Sequence, residues 1–214
     1  GEILTDFPLN IEVEPTYYCN LKCPYCPRYV KFGERKNKHM SEKMFKQIID
    51  ECKENNMPSI QYDHEAEPLM HPNFFNMVKQ ANDAGIYDGW LHTNGMMLNE
   101  KNSTKLIEHG LKKINISIDA FKKETYEKLR VGGKFEKLLE YIHNFLKIKN
   151  EKQASYLRVR ISFVEQKENF SEKRDFFDYW SKQKGVNIIA FQKCVDYAPF
   201  EKKDPDAELN EKEL

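Results

Sequence analysis

Lys113-Ile114-Asn115-Ile116-Ser117-Ile118-Asp119 alternates apolar and polar residues along its whole length and is entered through Gly110. Such alternation predicts a strand with the isoleucines on one face and Asn115, Ser117 and Asp119 on the other. Downstream, Phe135, Leu138, Leu139, Ile142, Phe145 and Leu146 recur at helical spacing, and a strand is expected over 157–164. A helix over about 171–184 should close at Gly185 as its C-cap, before a last strand over 186–191. Upstream lie a helix near 103–109, a strand over 89–92, a helix over 73–84 and a strand over 59–62. Ser41 is the expected N-cap of a further helix, with Met44, Ile48, Ile49 and Cys52 on one face, and the first strand, 9–14, stops at Pro15. Strands alternating with helices imply a parallel sheet joined by right-handed crossovers.

This α/β reading leaves two architectures open, a partial barrel or an open doubly wound sheet. A closed eight-unit barrel needs about 250 residues, more than the 214 present. Residues 1–200 read as one domain. The charged segment 201–214 reads as a flexible tail or truncation point standing where a last helix would be, and the leading Gly as a processed or engineered start.

Composition narrows the class. Lys plus Arg (34) balance Asp plus Glu (34), which argues against strong nonspecific nucleic-acid binding while leaving a local basic patch open. With 40% hydrophobic and 32% charged residues the chain can bury a core, which excludes disorder, collagen-like repeats and a disulfide miniprotein. No run approaches the roughly 18 apolar residues of a membrane span, and the N-terminus lacks a signal-peptide pattern. No membrane association and a cytoplasmic location are expected. Dinucleotide, Walker, metalloprotease and nucleophile-elbow motifs are absent from the sequence.

Three of the five cysteines crowd into Cys19-Asn20-Leu21-Lys22-Cys23-Pro24-Tyr25-Cys26, directly after the first strand. An odd count so arranged is a poor disulfide framework and reads better as a metal or redox site. Three thiolates can wrap one face of an iron-sulfur cluster and leave one metal position open. Structural zinc needs a fourth ligand, for which His39, His64 and His71 are candidates. Unliganded thiols are the third reading.

Cys-x3-Cys-x2-Cys after a first strand, with the aromatic Tyr25 before the last Cys, resembles the signature of the radical S-adenosylmethionine (radical SAM) superfamily, and the resemblance spans nearly the whole chain. It implies a partial (β/α)6 TIM-like barrel. It also implies a 4Fe-4S cluster on Cys19, Cys23 and Cys26, with SAM chelated at the open iron and reductively cleaved to a 5′-deoxyadenosyl radical. Glu65-Ala66-Glu67-Pro68 stands where the family has Gly-Gly-Glu-Pro, so Tyr25, Ala66, Glu67 and Pro68 are expected at SAM. Glu65 and Ala66 add Cβ atoms where the backbone approaches that ligand, which raises a degenerate, non-cleaving scaffold as an alternative. Ser117 and Asp119 resemble the family's Ser-x-Asp, which reaches the SAM carboxylate or ribose, and Arg130 resembles an arginine that pairs with the carboxylate. The competing readings are a capped strand end for the first pair and an exposed helix-end residue for Arg130.

Glu14-Pro15-Thr16, Cys26-Pro27-Arg28, Thr93-Asn94-Gly95 and Arg130-Val131-Gly132-Gly133 look like the branch with a C-terminal SPASM or twitch extension, which this chain ends before. An Asn-Gly turn explains Thr93-Asn94-Gly95 nearly as well. That resemblance implies an oxidoreductase or maturase acting on a peptide side chain or a sugar by oxidation, epimerisation or cross-linking. Its partners would be an electron donor such as flavodoxin or ferredoxin and a peptide or carbohydrate substrate. A structural zinc module that binds a partner is the reading from another class. Arg28, Lys31, Arg35, Lys36 and Lys38 form a basic loop that reads first as a solvated surface loop and, as the alternative, as one that steers an anionic substrate or acidic electron donor. Cys52 and Cys194 read as bystanders.

Overall fold

A computed structural model describes residues 7–30, 38–63 and 65–194. Lys31, Arg35 and Lys36 of the basic loop, His64 and the tail 201–214 lie outside the described residues. The strands are β1 (Asn10–Val13), β2 (Ser59–Tyr62), β3 (Asp88–Thr93), β4 (Lys113–Ser117), β5 (Arg158–Glu165) and β6 (Ile188–Lys193). Between them run α1 (Pro27–Val30), α2 (Glu42–Glu54), α3 (Phe74–Asp83), α4 (Glu100–Glu108), α5 (Lys123–Leu129), α6 (Phe135–Glu151) and α7 (Lys173–Trp180).

All five pairings are parallel and the spatial order is β1-β2-β3-β4-β5-β6. A doubly wound sheet reverses its strand order part-way, so that reading falls away. Right-handed crossovers that always step the same way put every long helix on one face of a curved, open sheet. The result is a partial barrel. Its helix-covered face is apolar: Ile60, Leu91, Ile114, Ile116, Val159 and Ile161 are all fully buried. Their strand neighbours Gln61, His92, Asn115, Arg160 and Ser162 point the other way, giving a concave face that is mostly polar.

Several local expectations need correction. The buried stripe of α2 is Phe45, Ile49 and Cys52, while Met44 is 54% exposed, because the i, i+4, i+7 set faces the sheet. Helix α7 stops at Trp180 with Ser181 as cap, short of Gly185. Trp180 is the last apolar residue of its buried stripe, and Ser181 to Lys184 offer nothing for a further turn to bury. Strand β4 ends at Ser117, and Asp119 sits at φ 63°, so simple alternation does not carry Asp119 onto the face of Ser117. Helix α5 lacks a side-chain cap of its own. The buried Glu172 supplies it, accepting from Phe121 N (2.7 Å) and Lys122 N (3.0 Å) across the fold.

Gly95, which follows β3, tests the packing of this frame. It has φ +79°, and a Cβ there would stand 2.6 Å from Leu138 Cδ1 on α6 and 3.1 Å from Ile116 Cγ2 on β4. Gly95→Ala should cost at least about 2 kcal/mol, adding overpacking to backbone strain. Gly85→Ala, also at positive φ but with its nearest contact at 3.7 Å, should cost about 1 kcal/mol. Urea unfolding of both variants measures the difference; equal losses would contradict the packing described.

Candidate functional site

The chain leaving β1 turns at Pro15 into the cysteine loop, which is fastened to other elements at four points. Met40 N donates to Pro15 O (2.8 Å) and Tyr17 N to Lys38 O (2.8 Å), around an antiparallel bridge between Thr16 and His39. Glu67 N donates to Tyr18 O (2.9 Å) and Lys22 N to Val131 O (2.8 Å). Thus the loops after β1 and β2 and the end of α5 converge at the C-terminal edge of the sheet. There they enclose a cleft of about 450 Å³ lined by Cys19, Cys23 and Cys26 together with Glu67, Asn94 and Arg130.

Donors face two of the thiol sulfurs. Leu21 N lies 3.5 Å and Asn94 Nδ2 3.9 Å from Cys19 Sγ, and Arg130 Nη1 lies 3.8 Å from Cys23 Sγ. Burial pushes the Cys19 thiol up to about 11 and raises that of Cys26. A metal offsets that cost by binding the thiolate directly. Three soft donors with N–H groups aimed at their sulfurs fit an iron-sulfur cluster. Among the described residues no three His, Cys, Asp or Glu side chains converge on one ion-sized point. The ring of His39 stacks on Tyr18 (4.7 Å), and both ring nitrogens of His71 are engaged, by Met40 O and Asn73 N.

Asp119 is the hub behind the cysteine loop. Its Oδ1 accepts from Val164 N on β5 (2.8 Å), and its carbonyl accepts from Asn169 Nδ2 (2.8 Å). Its Oδ2 accepts from the Tyr25 hydroxyl and from Arg130 Nη2. Asp119 is fully buried and the Arg130 side chain only 12% exposed. Burial opposes the charge on Arg130, but the Asp119 carboxylate, together with Tyr25, Cys23 and Tyr126, more than offsets it and holds the guanidinium charged. Burial likewise keeps the Tyr25 phenol neutral. Arg130 is a helix-end residue, capping α5, yet it is not the exposed one that the bland reading expects. Asp119 and Arg130 meet each other rather than standing apart as two separate ligand contacts.

Glu67, 1% exposed, is a strut between loops. Its carboxylate accepts from Thr93 Oγ1 (2.8 Å), Asn94 N (2.8 Å) and Leu69 N (3.3 Å). Burial pushes it up to about 7 against those three hydrogen bonds. Pro68 opens the short turn Pro68–Met70 that Glu67 caps. Ala66 lines the cleft beside it, and neither Glu65 nor Ala66 has positive φ. Ser117 also lines the cleft, 3.3 Å from Ser162 Oγ.

The family model described as the radical SAM superfamily matches residues 13–159. The chain belongs to that superfamily. The cofactors of the family are a 4Fe-4S cluster and SAM. Among curated relatives, a probable GTP 3′,8-cyclase of Methanococcus maripaludis is 27% identical over 201 residues, which are 94% of this chain and 61% of the relative. An Fe-coproporphyrin III synthase of Methanosarcina barkeri is 28% identical over 177 residues, 82% of this chain and 42% of the relative. The chain therefore spans about three-fifths of the length of the cyclase it matches. Among solved structures, Streptococcus suis SuiB bound to the precursor peptide SuiA superposes with a TM-score of 0.74 at 17% identity, covering 92% of this chain and 42% of SuiB. That likeness confirms the partial-barrel fold.

Asn94, His92, Asn115 and Cys194 also line the cleft and were not singled out for it from the sequence. Alternation within β3 would have put His92 on the concave face with Trp90. Cys194 follows β6, whose end closes the far wall.

Two outcomes follow from this geometry. Arg130→Met and Asp119→Asn should each destabilise by about 3–5 kcal/mol by stranding a buried partner. The double variant should lose clearly less than their sum, as a double-mutant cycle in urea measures. The second concerns pH. Because Glu67 rises from 4.5 to about 7 on folding, the native state binds the extra proton, and its contribution to stability falls as pH climbs through that window, by at most about 1.4 kcal/mol per unit. Unfolding of the metal-free protein between pH 4.5 and 7 should show this slope, and Glu67→Gln should flatten it.

Proposed function

We propose that Cys19, Cys23 and Cys26 hold the 4Fe-4S cluster and that the cleft beside them receives SAM and a substrate, in a catalytic domain spanning 1–200. The observation that carries this is the convergence of all three cysteines on one cleft, backed by the Asp119–Arg130–Tyr25 lock. When bound, the cluster supplies the electron that cleaves SAM to methionine and a 5′-deoxyadenosyl radical, which abstracts hydrogen from the substrate.

The chain's own residues position and exclude. Arg130 lines the cleft, and its Nε has no hydrogen-bond partner although it is buried. It keeps that donor for the SAM carboxylate while its terminal nitrogens hold Asp119 and face Cys23. Asp119, with both carboxylate oxygens and its carbonyl engaged, acts on SAM through Arg130 and Tyr25 rather than by contact. Glu67 sets the height of the 65–67 backbone, whose carbonyls take the SAM ammonium beside Ala66 and Pro68. Ser117 reaches toward SAM from the strand end. Leu21, buried, and Tyr25, half-buried, line the cleft and keep water from the cluster side.

The substrate is a peptide side chain or a carbohydrate, and the outcome an oxidation, epimerisation or cross-link of the oxidoreductase and maturase type. SuiB, solved with a precursor peptide, favours the first substrate class, and relatives named GTP 3′,8-cyclase favour one carrying a sugar. Flavodoxin or ferredoxin in the cytoplasm supplies the electron. Among the described residues no helix is long and apolar enough to cross a membrane.

Anaerobic reconstitution should give a brown protein with about four irons per chain that releases 5′-deoxyadenosine on reduction with SAM. Replacing Cys19, Cys23 or Cys26 by Ala should abolish both, whereas Cys52→Ala should leave both intact. A colourless protein carrying one zinc would overturn the assignment, and a brown protein whose spin-resonance spectrum ignores added SAM would make it a degenerate scaffold.

A further inference from the structure

Three polar atoms that are buried without a hydrogen-bond partner stand in a row across the concave face. They are His92 Nε2 on β3, Asn115 Oδ1 on β4 and Arg160 Nε on β5. The register pairs His92 with Asn115 and Asn115 with Arg160, so the three occupy one level of adjacent strands, about 4.8 Å apart per step. Asn115 is only 3% exposed. Buried polar groups are nearly always satisfied, and three orphans side by side mark a place where a ligand completes the bonding. His92 and Asn115 line the same cleft as the cysteines. Their row lies one inward-facing position below Ser117, deeper in the barrel than the level proposed for SAM.

The chemistry of the row selects the ligand. His92 Nδ1 faces Asp63 Oδ2 at 2.7 Å, which fixes the ring and leaves Nε2 as its unpaired polar atom. Asn115 Oδ1 is an acceptor and Arg160 Nε–H a donor. A phosphate or carboxylate offers acceptors only and would leave Asn115 Oδ1 unpaired. An apolar side chain would satisfy none of the three. Adjacent hydroxyls, which both donate and accept, donate to Asn115, accept from Arg160 and serve His92 Nε2 in either role.

We infer that the His92–Asn115–Arg160 row is the floor of a substrate subsite for a vicinal diol, as carried by a sugar or the ribose of a nucleoside. This rests on the cofactor reading above, which puts SAM in the cleft that His92 and Asn115 also line. Asp63 is the positioning residue that holds the ring of His92 through Nδ1.

The test uses the reconstituted protein, whose iron content and SAM cleavage are measured first so that failure of the cofactor reading is seen separately. Calorimetry with SAM present would follow guanosine against 2′,3′-dideoxyguanosine and methyl β-D-glucoside against its 3-deoxy form, which keeps no vicinal pair of hydroxyls. At least one diol probe should bind about tenfold or more tighter than its deoxy partner, since the deoxy form strands a buried group. Asn115→Leu and Arg160→Met should erase that discrimination and leave SAM affinity within about twofold. Failure of both diol probes to bind, or equal binding of diol and deoxy forms by the unaltered protein, would overturn the inference. So would a matching loss of SAM affinity in the two variants, which would assign the row to the ribose of the cofactor.

Discussion

The carboxylate of Asp119 is the constraint on which the site depends. Asp119 is fully buried at a left-handed φ; its carboxylate is held by β5 through Val164 N, by the cysteine loop through Tyr25 and by the end of α5 through Arg130, while its backbone carbonyl accepts from Asn169 after β5. A buried charge tolerates such a place only when every lone pair is used and a countercharge is at hand. Arg130 is that countercharge. Because its other arm faces Cys23, a bond needed to neutralise Asp119 also fixes where the cysteine loop lies. Electrostatic necessity and cofactor geometry are thus met by one side chain.

The sheet supplies the second half of the logic. Six parallel strands in sequential order place the long helices on one face, so the hydrophobic effect is spent there and the other face need not be apolar. A closed eight-stranded barrel fills its centre with packed side chains. Here the sheet curves without closing, and its concave face carries Gln61, His92, Asn115, Arg160 and Ser162. The polar floor and the cysteine cleft are consequences of the same topology. The strand-to-helix loops leave the C-terminal strand ends and line the cleft together with residues of the concave face.

Periodicity made the strands and the long helices legible, because burial of one face imposes its period directly on the sequence: Ile114, Ile116 and Ile118 are the clearest case. Cysteine spacing made the cofactor loop legible because its three ligands are close in sequence. What escaped is what depends on distant partners. Helix α5 has no local cap and borrows Glu172 from 47 residues beyond Thr125. Thr93-Asn94-Gly95 reads locally as a turn, and its tie to Glu67 exists only once β2 and β3 are neighbours. Asp119 and Arg130 were found by motif, but their mutual pairing was not, since a motif names residues without saying which of them face each other. Met44 misled because an apolar residue one position off the stripe is indistinguishable by type from one on it.

Glu65-Ala66 stand where the family has two glycines, and their backbone carries no strain that would demand glycine. Glycine is obligatory where φ is positive or where a Cβ would collide. Neither residue has positive φ, and Glu65 N is held by Glu14 Oε1 at 3.1 Å, so the strand exit is fixed by hydrogen bonding instead of by glycine. The next residue, Glu67, ties the same loop to β3 through Thr93 and Asn94. A backbone pinned on both sides presents its carbonyls in one place whatever small side chain lies between. The course of the loop that carries Glu65 and Ala66 is thus set by the Glu65–Glu14 hydrogen bond on one side and by the bonds of Thr93 and Asn94 to Glu67 on the other.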